Sequence, residues 1–413
     1  MTTARTVRPG AAHRIAALAE DALGGPLPVR LRAWDDSETG PAGGPAVVVR
    51  SRRALRRMLW QPGELGLAQA YVTGEIDIEG DLAEGLRVMW AAVRERGLHA
   101  PRLAPAAQAR LRGGLHTKAR DRAAISHHYD LSNAFYRLLL DDTMAYSCGY
   151  WASEDPGFTA ADAQRAKLEL ICRKLGLVPG ARLLDVGCGW GSLALYAAEQ
   201  HKAQVTAVTL AQEQAAHVRE QVRERGLEHR VEVVCQDYRD ITGGAYDAVS
   251  CVEMGEHVGD AEYPAFAAAL HALVRPRGRV LVQQMSRGAD APGGGAFIEA
   301  YVAPDMHMRP LGDTVGLLER AGLEVRSVES LREHYVRTVA AWHRTLEERW
   351  DDVVRLVGEE TARVWRLYLV GGALAFEERR MGVDQLLCVR PTRDGGSGVP
   401  VTPEDWYRGL DLP

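Results

Sequence analysis

The chain has 413 residues, of which 46% are hydrophobic and 25% are charged, and its formal net charge is −5 at pH 7. This composition excludes a disordered or fibrous chain, and the length predicts more than one domain. The six cysteines show no CxxC pair, which favours a reducing cytoplasm over a disulfide scaffold. No segment reaches the roughly 20 apolar residues that a transmembrane helix needs, and the N-terminus lacks the apolar core of a signal peptide.

Residues 11–100 are predicted to be mainly helical. Apolar side chains recur at helical spacing from Leu82 to Val93. Segment 98–116 contains two prolines and a Gly-Gly pair, which are typical of a linker. We therefore expect a small N-terminal domain and a basic linker over residues 1–120.

Arginine is concentrated in two stretches of this region, residues 50–57 and 94–122. Two interpretations stay open. The cations lie on solvated helix faces, or they attract anionic lipid head groups, which contributes on the order of 1 kcal/mol per cation near a membrane surface. The second interpretation predicts a peripheral protein at the inner membrane surface. Nucleic acid is not an expected partner, because aromatic side chains are not interleaved with these charges.

After residue 120 the pattern changes to an α/β rhythm. Short apolar runs alternate with helical stretches between residues 181 and 285, and two more predicted strands cover 323–331 and 383–391. This alternation is typical of a Rossmann-like, open and mostly parallel sheet with helices on both faces. We expect this second domain to cover residues 121–395, with a tail at 396–413. Two helical insertions, 287–311 and 335–378, are expected to cover the substrate.

The strongest local motif is LLDVGCGWGSLA, in which a strand ends at Asp185 and a glycine-rich turn leads into a helix. Glycines permit a sharp turn and a close approach of the backbone to a ligand. The spacing is tighter than the G-x-G-x-x-G of a dinucleotide site, and it resembles the first motif of S-adenosylmethionine-dependent methyltransferases. Polar residues end the next two predicted strands, where ribose and adenine contacts are expected: Thr209, Gln214, Gln236 and Asp237.

Several motifs together resemble the cyclopropane-fatty-acyl-phospholipid synthase family over about residues 60–390. They are GELGLAQAYVTGEIDIEGDL, HHYDLSNAFYRLLL, MAYSCGYW, LLDVGCGWGSLA, VTLAQEQ and GEHVG. The family alkylates the cis double bond of unsaturated acyl chains in phospholipids. The resemblance implies a class I methyltransferase fold, S-adenosylmethionine as cofactor and unsaturated phospholipid acyl chains as substrate. A homodimer stays open.

The resemblance also assigns roles to individual residues. It implies that cofactor contacts come from Tyr129, Tyr146, Ser147, Asp185, Gly187, Gly189, Gly191, Thr209, Gln214, Gln236 and Asp237. It implies a bicarbonate ion beside the sulfonium, held by surroundings that Cys148, Glu256 and Tyr335 match. One position departs from the family, because its usual histidine falls on Gln283, which cannot become a cation. This leaves open whether the anion site is kept and which product forms.

The chemistry explains why such residues are needed. An alkene attacks the sulfonium methyl without a base, but the resulting carbocation gives a ring only when a proton leaves. Our hypothesis is that Glu256 holds the bicarbonate that takes this proton, while His257 is more simply structural. The expected product is a cyclopropane chain, with a 10-methylene chain of the tuberculostearic type as the alternative. Two other functions stay open, a small-molecule methyltransferase and a non-catalytic lipid-binding protein.

Overall fold

A computed structural model describes residues 9–60, 63–97, 132–289, 295–303 and 306–411. The chain divides into two compact units. The first contains the described residues up to 97 together with Gly295–Val302 and Trp350–Leu374. The second contains the described parts of Leu131–Gly294, Ala303–Arg349 and Ala375–Pro413. Parts of both predicted insertions therefore cluster with the N-terminal residues, which differs from the predicted domain organisation.

The first unit combines helices with a small sheet. Its N-terminal elements are α1 (Ala11–Leu23), β1 (Arg30–Ala33), β2 (Glu38–Thr39), β3 (Ala46–Val49), α2 (Arg52–Trp60), α3 (Glu64–Val72), β4 (Ile76–Glu79) and α4 (Leu82–Arg96). The strands form one sheet in the order β2-β1-β3-β4. The helical prediction missed this sheet, because strands of two to four residues are too short to display a period of two.

A buried arginine explains why residues 350–374 cluster with this unit. Arg363 is 4% exposed, and its guanidinium donates hydrogen bonds to the carbonyl oxygens of Tyr71 at 2.7 Å and Ile76 at 3.0 Å. The same guanidinium lies 4.3 Å from the centre of the Tyr71 ring. A buried guanidinium is stable only when its donors are satisfied, so these contacts hold the segment in the first unit.

The second unit begins at residue 132 and carries the larger sheet. Its elements are α5 (Asn133–Leu139), α6 (Ala160–Leu175), β5 (Arg182–Val186), α7 (Ser192–Gln200), β6 (Gln204–Thr209), α8 (Gln212–Glu224), β7 (Val231–Cys235), β8 (Tyr246–Val252), α9 (Tyr263–Leu273) and β9 (Val274–Arg287). The later part of the chain forms α10 (Ala296–Tyr301), α11 (Leu311–Arg320), β10 (Glu324–Ser330), α12 (Arg332–Glu348), α13 (Trp350–Val357), α14 (Glu359–Glu377), β11 (Met381–Val389) and α15 (Glu404–Tyr407). Of these, α10, α13 and α14 as far as Leu374 belong to the first unit, and the others belong to the second.

The seven strands of this sheet have the order β10-β11-β9-β8-β5-β6-β7. Strands β5, β6, β7, β8 and β9 pair in parallel, and β11 pairs antiparallel with both β9 and β10. All seven were predicted from the apolar runs. The prediction of an α/β fold with a mostly parallel sheet is confirmed.

The sheet is covered on both faces, which explains the continuous apolar runs of its central strands. On one face, α6, α7 and α8 pack onto a core that includes Ile171, Ala194 and Val218. On the other face, α9 and α11 pack onto a core that includes Phe266 and Leu318. Strand β5 is the middle one of the five parallel strands, and the chain leaves it first towards β6 and later towards β8. The carboxyl ends of β5 and β8 therefore form the switch point at which such sheets bind ligands.

The predicted helical stretch 335–378 is divided into α12, α13 and α14. Gly358, at a φ of +81°, separates the last two helices. Left-handed backbone ends a helix at little cost only in glycine, so the break is encoded locally. Among the described residues, no helix combines the length and the apolar composition required to cross a bilayer.

Candidate active site

A cavity of about 780 Å³ opens at the carboxyl edge of the large sheet, within the second unit. Its walls come from the turns after β5, β6, β7 and β8, as well as from α6 and the segment that precedes it. Cavities of several hundred cubic ångströms are typical of cofactor sites. Nine of the predicted cofactor residues line it: Tyr146, Ser147, Asp185, Gly187, Gly189, Thr209, Gln214, Gln236 and Asp237. Tyr129 lies outside the described residues.

The glycine-rich turn has three left-handed residues with different surroundings. Gly187 and Gly189 line the cavity at φ values of +77° and +54°. A Cβ atom at Gly189 would have no atom within 4 Å, so the backbone there faces open space. Gly191, at a φ of +84°, begins α7, and a Cβ atom on it would lie 2.9 Å from the side chain of Val218. The first two glycines therefore shape the cavity, and the third lets the helix pack closely.

Polar side chains follow the neighbouring strands. The Thr209 hydroxyl donates to Gln214 Oε1 at 2.8 Å, which joins the two predicted ribose contacts to each other. Asp237 forms a two-point ion pair with Arg239, at 2.9 Å from Nε and 2.6 Å from Nη2. These hydrogen bonds lower the pKa of Asp237 to about 2, so its carboxylate is charged at neutral pH.

A buried lysine that the sequence analysis missed lies beside this cavity. Lys167 on α6 is 1% exposed, and its ammonium donates to the hydroxyl of Ser147 at 2.7 Å. Burial lowers the pKa of Lys167, while the charges of Glu253 and Asp141 oppose that shift. Asp185 is also buried, and burial raises its pKa to about 6 against the hydrogen bond that it accepts from Ser250.

Aromatic rings continue from the cavity into the interior of the second unit. Tyr146 packs against Trp342, with ring centres 5.2 Å apart, and Trp342 packs against Tyr335 at 6.1 Å. Tyr335 also packs against Phe376 at 4.6 Å. These faces carry partial negative charge, so they form an apolar wall that tolerates a cation.

The residues predicted to surround an anion converge on a glutamate that the sequence analysis did not select. Glu253 Oε1 accepts hydrogen bonds from the backbone amide of Cys148 at 2.7 Å and from Gln283 Nε2 at 2.9 Å. Glu253 Oε2 accepts from the Tyr335 hydroxyl at 2.6 Å. Glu253 follows β8 directly and lines the cavity. We call these four residues the Glu253 cluster.

Glu256 lies outside the Glu253 cluster, which differs from the prediction. The chain turns sharply after β8, and Gly255–His257 form a single 3₁₀ turn beside β9. Glu256 is fully buried there, and no described side chain gives its carboxylate oxygens a well-formed hydrogen bond. Burial raises its pKa well above the ordinary value, and the charge of Glu253 adds to the shift, while the amides of Glu256 and Met285 oppose it. Burial therefore favours the neutral form of the Glu256 carboxyl group.

Cys148 contributes its backbone to the cluster, while its thiol points elsewhere. The thiol is fully buried and donates to the carbonyl oxygen of Gly149 at 3.3 Å. Burial raises the pKa of this thiol far above its usual range, and the charge of Glu253 adds to the effect. A thiol that stays protonated is a poor nucleophile.

Two histidines also lie at the cavity, and one of them, His257, was predicted to be structural. His257 and His307 line it, and the His307 amide donates to the carbonyl oxygen of Glu256 at 2.7 Å. Within the described parts of the chain, no group of three or more His, Cys, Asp or Glu side chains is arranged to hold a metal ion.

The missed residues differ in how visible they are in the sequence. Glu253 had a signal, because it is the first charged residue after the apolar run of β8 and precedes Glu256 by three positions. Lys167 had none, because a lysine within an amphipathic helix ordinarily faces water.

The shape and the polar groups of the cavity fit S-adenosylmethionine. Its glycine turn leaves open space in front of Gly189, and the polar ends of β6 and β7 provide acceptors and donors for a nucleoside. The sheet order, the turn at the switch point and this polar rim define a class I S-adenosylmethionine-dependent methyltransferase.

Comparisons with known proteins narrow this class to a family. Residues 116–386 match the family described as mycolic acid cyclopropane synthetase. A probable fatty acid methyltransferase of Pseudomonas putida is 39% identical over 394 residues, which cover 92% of this chain and 97% of the relative. The tuberculostearic acid methyltransferase of Mycobacterium tuberculosis is 33% identical over 387 residues, 88% of each chain. The chain belongs to the mycolic acid cyclopropane synthetase family, and the predicted resemblance is confirmed.

Solved structures agree with this assignment. A cyclopropane synthase of Mycobacterium tuberculosis superposes with a TM-score of 0.60 and 29% identity, over 67% of this chain and 99% of that one. A mycolic acid cyclopropane synthase in complex with SAH and CTAB superposes with a TM-score of 0.59 and 30% identity, over 65% and 97%. The protein is therefore an S-adenosylmethionine-dependent methyltransferase of the type that acts on fatty acyl chains.

Proposed function

We propose that the protein alkylates the cis double bond of an unsaturated acyl chain in a membrane phospholipid. The observation that carries this proposal is the composition of the site. A carboxylate, Glu253, lies at the cofactor cavity, and an aromatic wall runs from Tyr146 through Trp342 to Tyr335. A nitrogen or oxygen nucleophile would need polar positioning groups instead. The relatives named for fatty acid, tuberculostearic acid and mycolic acid chemistry support an acyl substrate.

The residues fit the demands of alkene alkylation. When bound, S-adenosylmethionine supplies an electrophilic methyl group. The glycine turn and the polar ends of β6 and β7 would hold this cofactor by its methionine and nucleoside parts. The acyl carbon next to the new bond becomes cationic, and the ring of Tyr146, which lines the cavity, can stabilise it. An apolar wall also excludes water, which would otherwise add to the cation.

The proposed product is a cyclopropane ring, with a 10-methylene branch as the alternative. Loss of a proton from the transferred methyl group closes a cyclopropane ring. After a hydride shift along the chain, the same loss gives a 10-methylene branch. Both products need one base at one place, so the site supports either. Gln283 in place of the family's usual histidine is the feature that keeps the methylene product as the alternative.

One experiment tests the reaction and separates the products. The purified protein is incubated with methyl-labelled S-adenosylmethionine and vesicles that contain oleoyl phospholipid. We expect label in the acyl chains, as one added CH₂ unit. Mild catalytic hydrogenation distinguishes the products, because a methylene branch takes up hydrogen and a ring does not. A protein that binds the cofactor but leaves the acyl chains unlabelled would contradict the proposed function.

We also propose that the protein works at the cytoplasmic surface of a membrane, and α2 supports this. Arg52, Arg53 and Arg56 are exposed, and Trp60, one turn further along, is 49% exposed. Among the described residues no carboxylate pairs with Arg53 or Arg56, whereas Arg50 pairs with Asp77 at 2.6 Å. Cations beside an exposed tryptophan are typical of helices that lie on anionic lipid surfaces.

A further inference from the structure

The Glu253 cluster occupies the place at which the family resemblance implies a bicarbonate ion. The backbone amide of Cys148, the side-chain amide of Gln283 and the hydroxyl of Tyr335 all donate to the Glu253 carboxylate, at 2.7, 2.9 and 2.6 Å. Cys148 and Tyr335 are two of the residues that were predicted to surround the ion. In this structure they bind a carboxylate of the protein itself, the side chain of Glu253.

These residues do not fit a bicarbonate ion in addition. The backbone amide and the hydroxyl each have one hydrogen, and both are given to Glu253. Gln283 has two, of which one goes to Glu253 and the other points to the Cys148 carbonyl oxygen at 3.4 Å. A second anion there would lack these donors and would lie against a carboxylate. Like charges at such distances repel strongly in a low-dielectric site.

A chain of buried hydrogen bonds sets the orientation of Gln283. The ammonium of Lys174 can only donate, and it donates to Gln385 Oε1 at 2.6 Å. Gln385 must then present its amide nitrogen to Gln283 Oε1, at 3.0 Å. Gln283 in turn presents its nitrogen to Glu253. Lys174, Gln283 and Gln385 are each at most 1% exposed, so no water competes, and the amide of Gln283 is fixed as a donor to a carboxylate.

The backbone of Glu253 is also held in an uncommon conformation. Its φ is +51°, in the left-handed region, which costs a non-glycine residue on the order of 1–2 kcal/mol. Its own amide donates to the Gln283 carbonyl oxygen at 2.6 Å, which fixes the turn at the end of β8. Conformational cost at such a position is typical of functional residues that the surrounding structure holds in place.

The carboxylate still has room for a proton. Each of its oxygens can accept two hydrogen bonds. Oε1 accepts two and Oε2 accepts one from the described residues, so one position remains on Oε2. Burial raises the pKa of Glu253, and hydrogen bonds from Tyr335, Cys148 and Gln283 oppose the shift. A base is most effective when its pKa is close to the working pH.

We propose that Glu253 is the built-in general base of this enzyme and takes the place of a bound bicarbonate. This rests on the proposed alkylation of an acyl double bond. The double bond forms the new carbon–carbon bond, and sulfur keeps the electron pair of the broken sulfur–carbon bond. Glu253 Oε2 then accepts a proton from the transferred methyl group. The electron pair of that carbon–hydrogen bond closes the ring or forms the methylene double bond, and the carboxylic acid releases its proton to solvent.

The first test compares turnover of the wild-type protein in bicarbonate-free buffer and in buffer with added bicarbonate. Labelled acyl chains are measured with oleoyl phospholipid vesicles under argon. We expect equal rates in both buffers. A rate that depends on bicarbonate overturns the proposal of a built-in base. Absence of product in both buffers would instead count against the proposed function, so the two failures are distinguishable.

The second test uses two variants at one position. Glu253→Gln keeps the size of the side chain but cannot take a proton, and turnover should fall by about a hundredfold to ten-thousandfold. Glu253→Gly tolerates the left-handed backbone and opens a space lined by the three donors. Bicarbonate or formate should restore turnover in the glycine variant and leave the glutamine variant inactive. S-adenosylhomocysteine binding, measured by calorimetry, should change little in either. A glutamine variant with near wild-type turnover, or a folded glycine variant that neither anion rescues, overturns the proposal.

Discussion

The hydroxyl of Tyr335 donates to Glu253 Oε2 at 2.6 Å, and this bond joins α12 to the carboxyl end of β8. The ring of Tyr335 is buried against Phe376 and Trp342, so its hydroxyl has little freedom to turn away. A hydrogen bond to a buried carboxylate favours the charged form. Tyr335 therefore keeps Glu253 available as a base over a wider range of pH than burial alone would permit.

Replacing Tyr335 by phenylalanine tests this relationship. Without the donor the pKa of Glu253 should rise further, because burial then acts with less opposition. A base must be deprotonated, so the acidic limb of the kcat–pH profile should move to higher pH by about one unit. The ring contacts remain in Tyr335→Phe. Tyr196→Phe is the matched control. The Tyr196 hydroxyl also donates to a carboxylate, that of Glu169, but this hydrogen bond lies outside the Glu253 cluster. An unshifted profile in Tyr335→Phe would contradict the assigned contact.

Glu256 provides a test in protein stability. Its folded pKa is raised by burial above the ordinary value of 4.5, so the folded state keeps a proton that the unfolded state releases. The wild-type free energy of unfolding should therefore fall as pH rises above the unfolded value, by up to about 1.4 kcal/mol per pH unit. Glu256→Gln removes this dependence.

The measurement is urea unfolding of wild type and Glu256→Gln at several pH values. The difference in unfolding free energy should change in favour of the variant as pH rises. Glu228→Gln, at an exposed position, serves as the control and should show little change. Parallel curves for wild type and Glu256→Gln would show that Glu256 is charged in the folded protein.

Two glycines of the turn should separate binding from folding. In Gly189→Ala the new methyl group enters open space at the cavity, so affinity for S-adenosylhomocysteine should fall more than stability. In Gly191→Ala it would lie 2.9 Å from Val218, so the melting temperature should fall further. Both residues have a positive φ, so the conformational cost of alanine in the left-handed region applies to both variants. Calorimetry and thermal unfolding of the two variants check this, and equal loss of melting temperature would contradict it.

Membrane docking through α2 predicts a difference between two arginines that carry the same charge. Arg56→Gln should weaken binding to anionic vesicles by roughly fivefold, since each free cation contributes about 1 kcal/mol. Arg50→Gln should weaken it less, because the Arg50 guanidinium is already bound to Asp77 at 2.6 Å and is therefore less free to contact lipid phosphate. Flotation with vesicles of anionic and neutral lipid measures both, and wild-type binding should decrease as salt rises. Vesicle binding that changes neither with salt nor with either substitution would contradict an electrostatic contribution to docking.

Local patterns predicted much of the second unit. The apolar runs over Leu183, Val205 and Val249 mark strands that are buried on both faces, and such runs are visible without any tertiary information. The glycine turn was equally visible, because left-handed backbone restricts the residue type. The small sheet of the first unit was missed, since its strands are too short to show a period.

Part of the candidate site was also predictable from the sequence, and part was not. Nine of the residues that the motifs predicted to contact the cofactor line one cavity. The motifs also predicted that Cys148 and Tyr335 lie around one anion, and Gln283 was selected as the position that departs from the family. They did not indicate which carboxylate these residues bind. Glu253 and Glu256 are three positions apart in sequence, and only the turn after β8 decides which one faces the cavity.

By itself, the sequence determined the α/β fold, the cofactor turn and the family, because these depend on periodicity and on residues close together in the chain. The tertiary structure alone decided that Glu253 receives the donors and that Glu256 is buried apart from them. It also decided the path of hydrogen bonds from Lys174 to Gln283. These contacts join residues that are 30 to 211 positions apart in the chain. Their direction depends on donor and acceptor geometry that the order of residues does not encode.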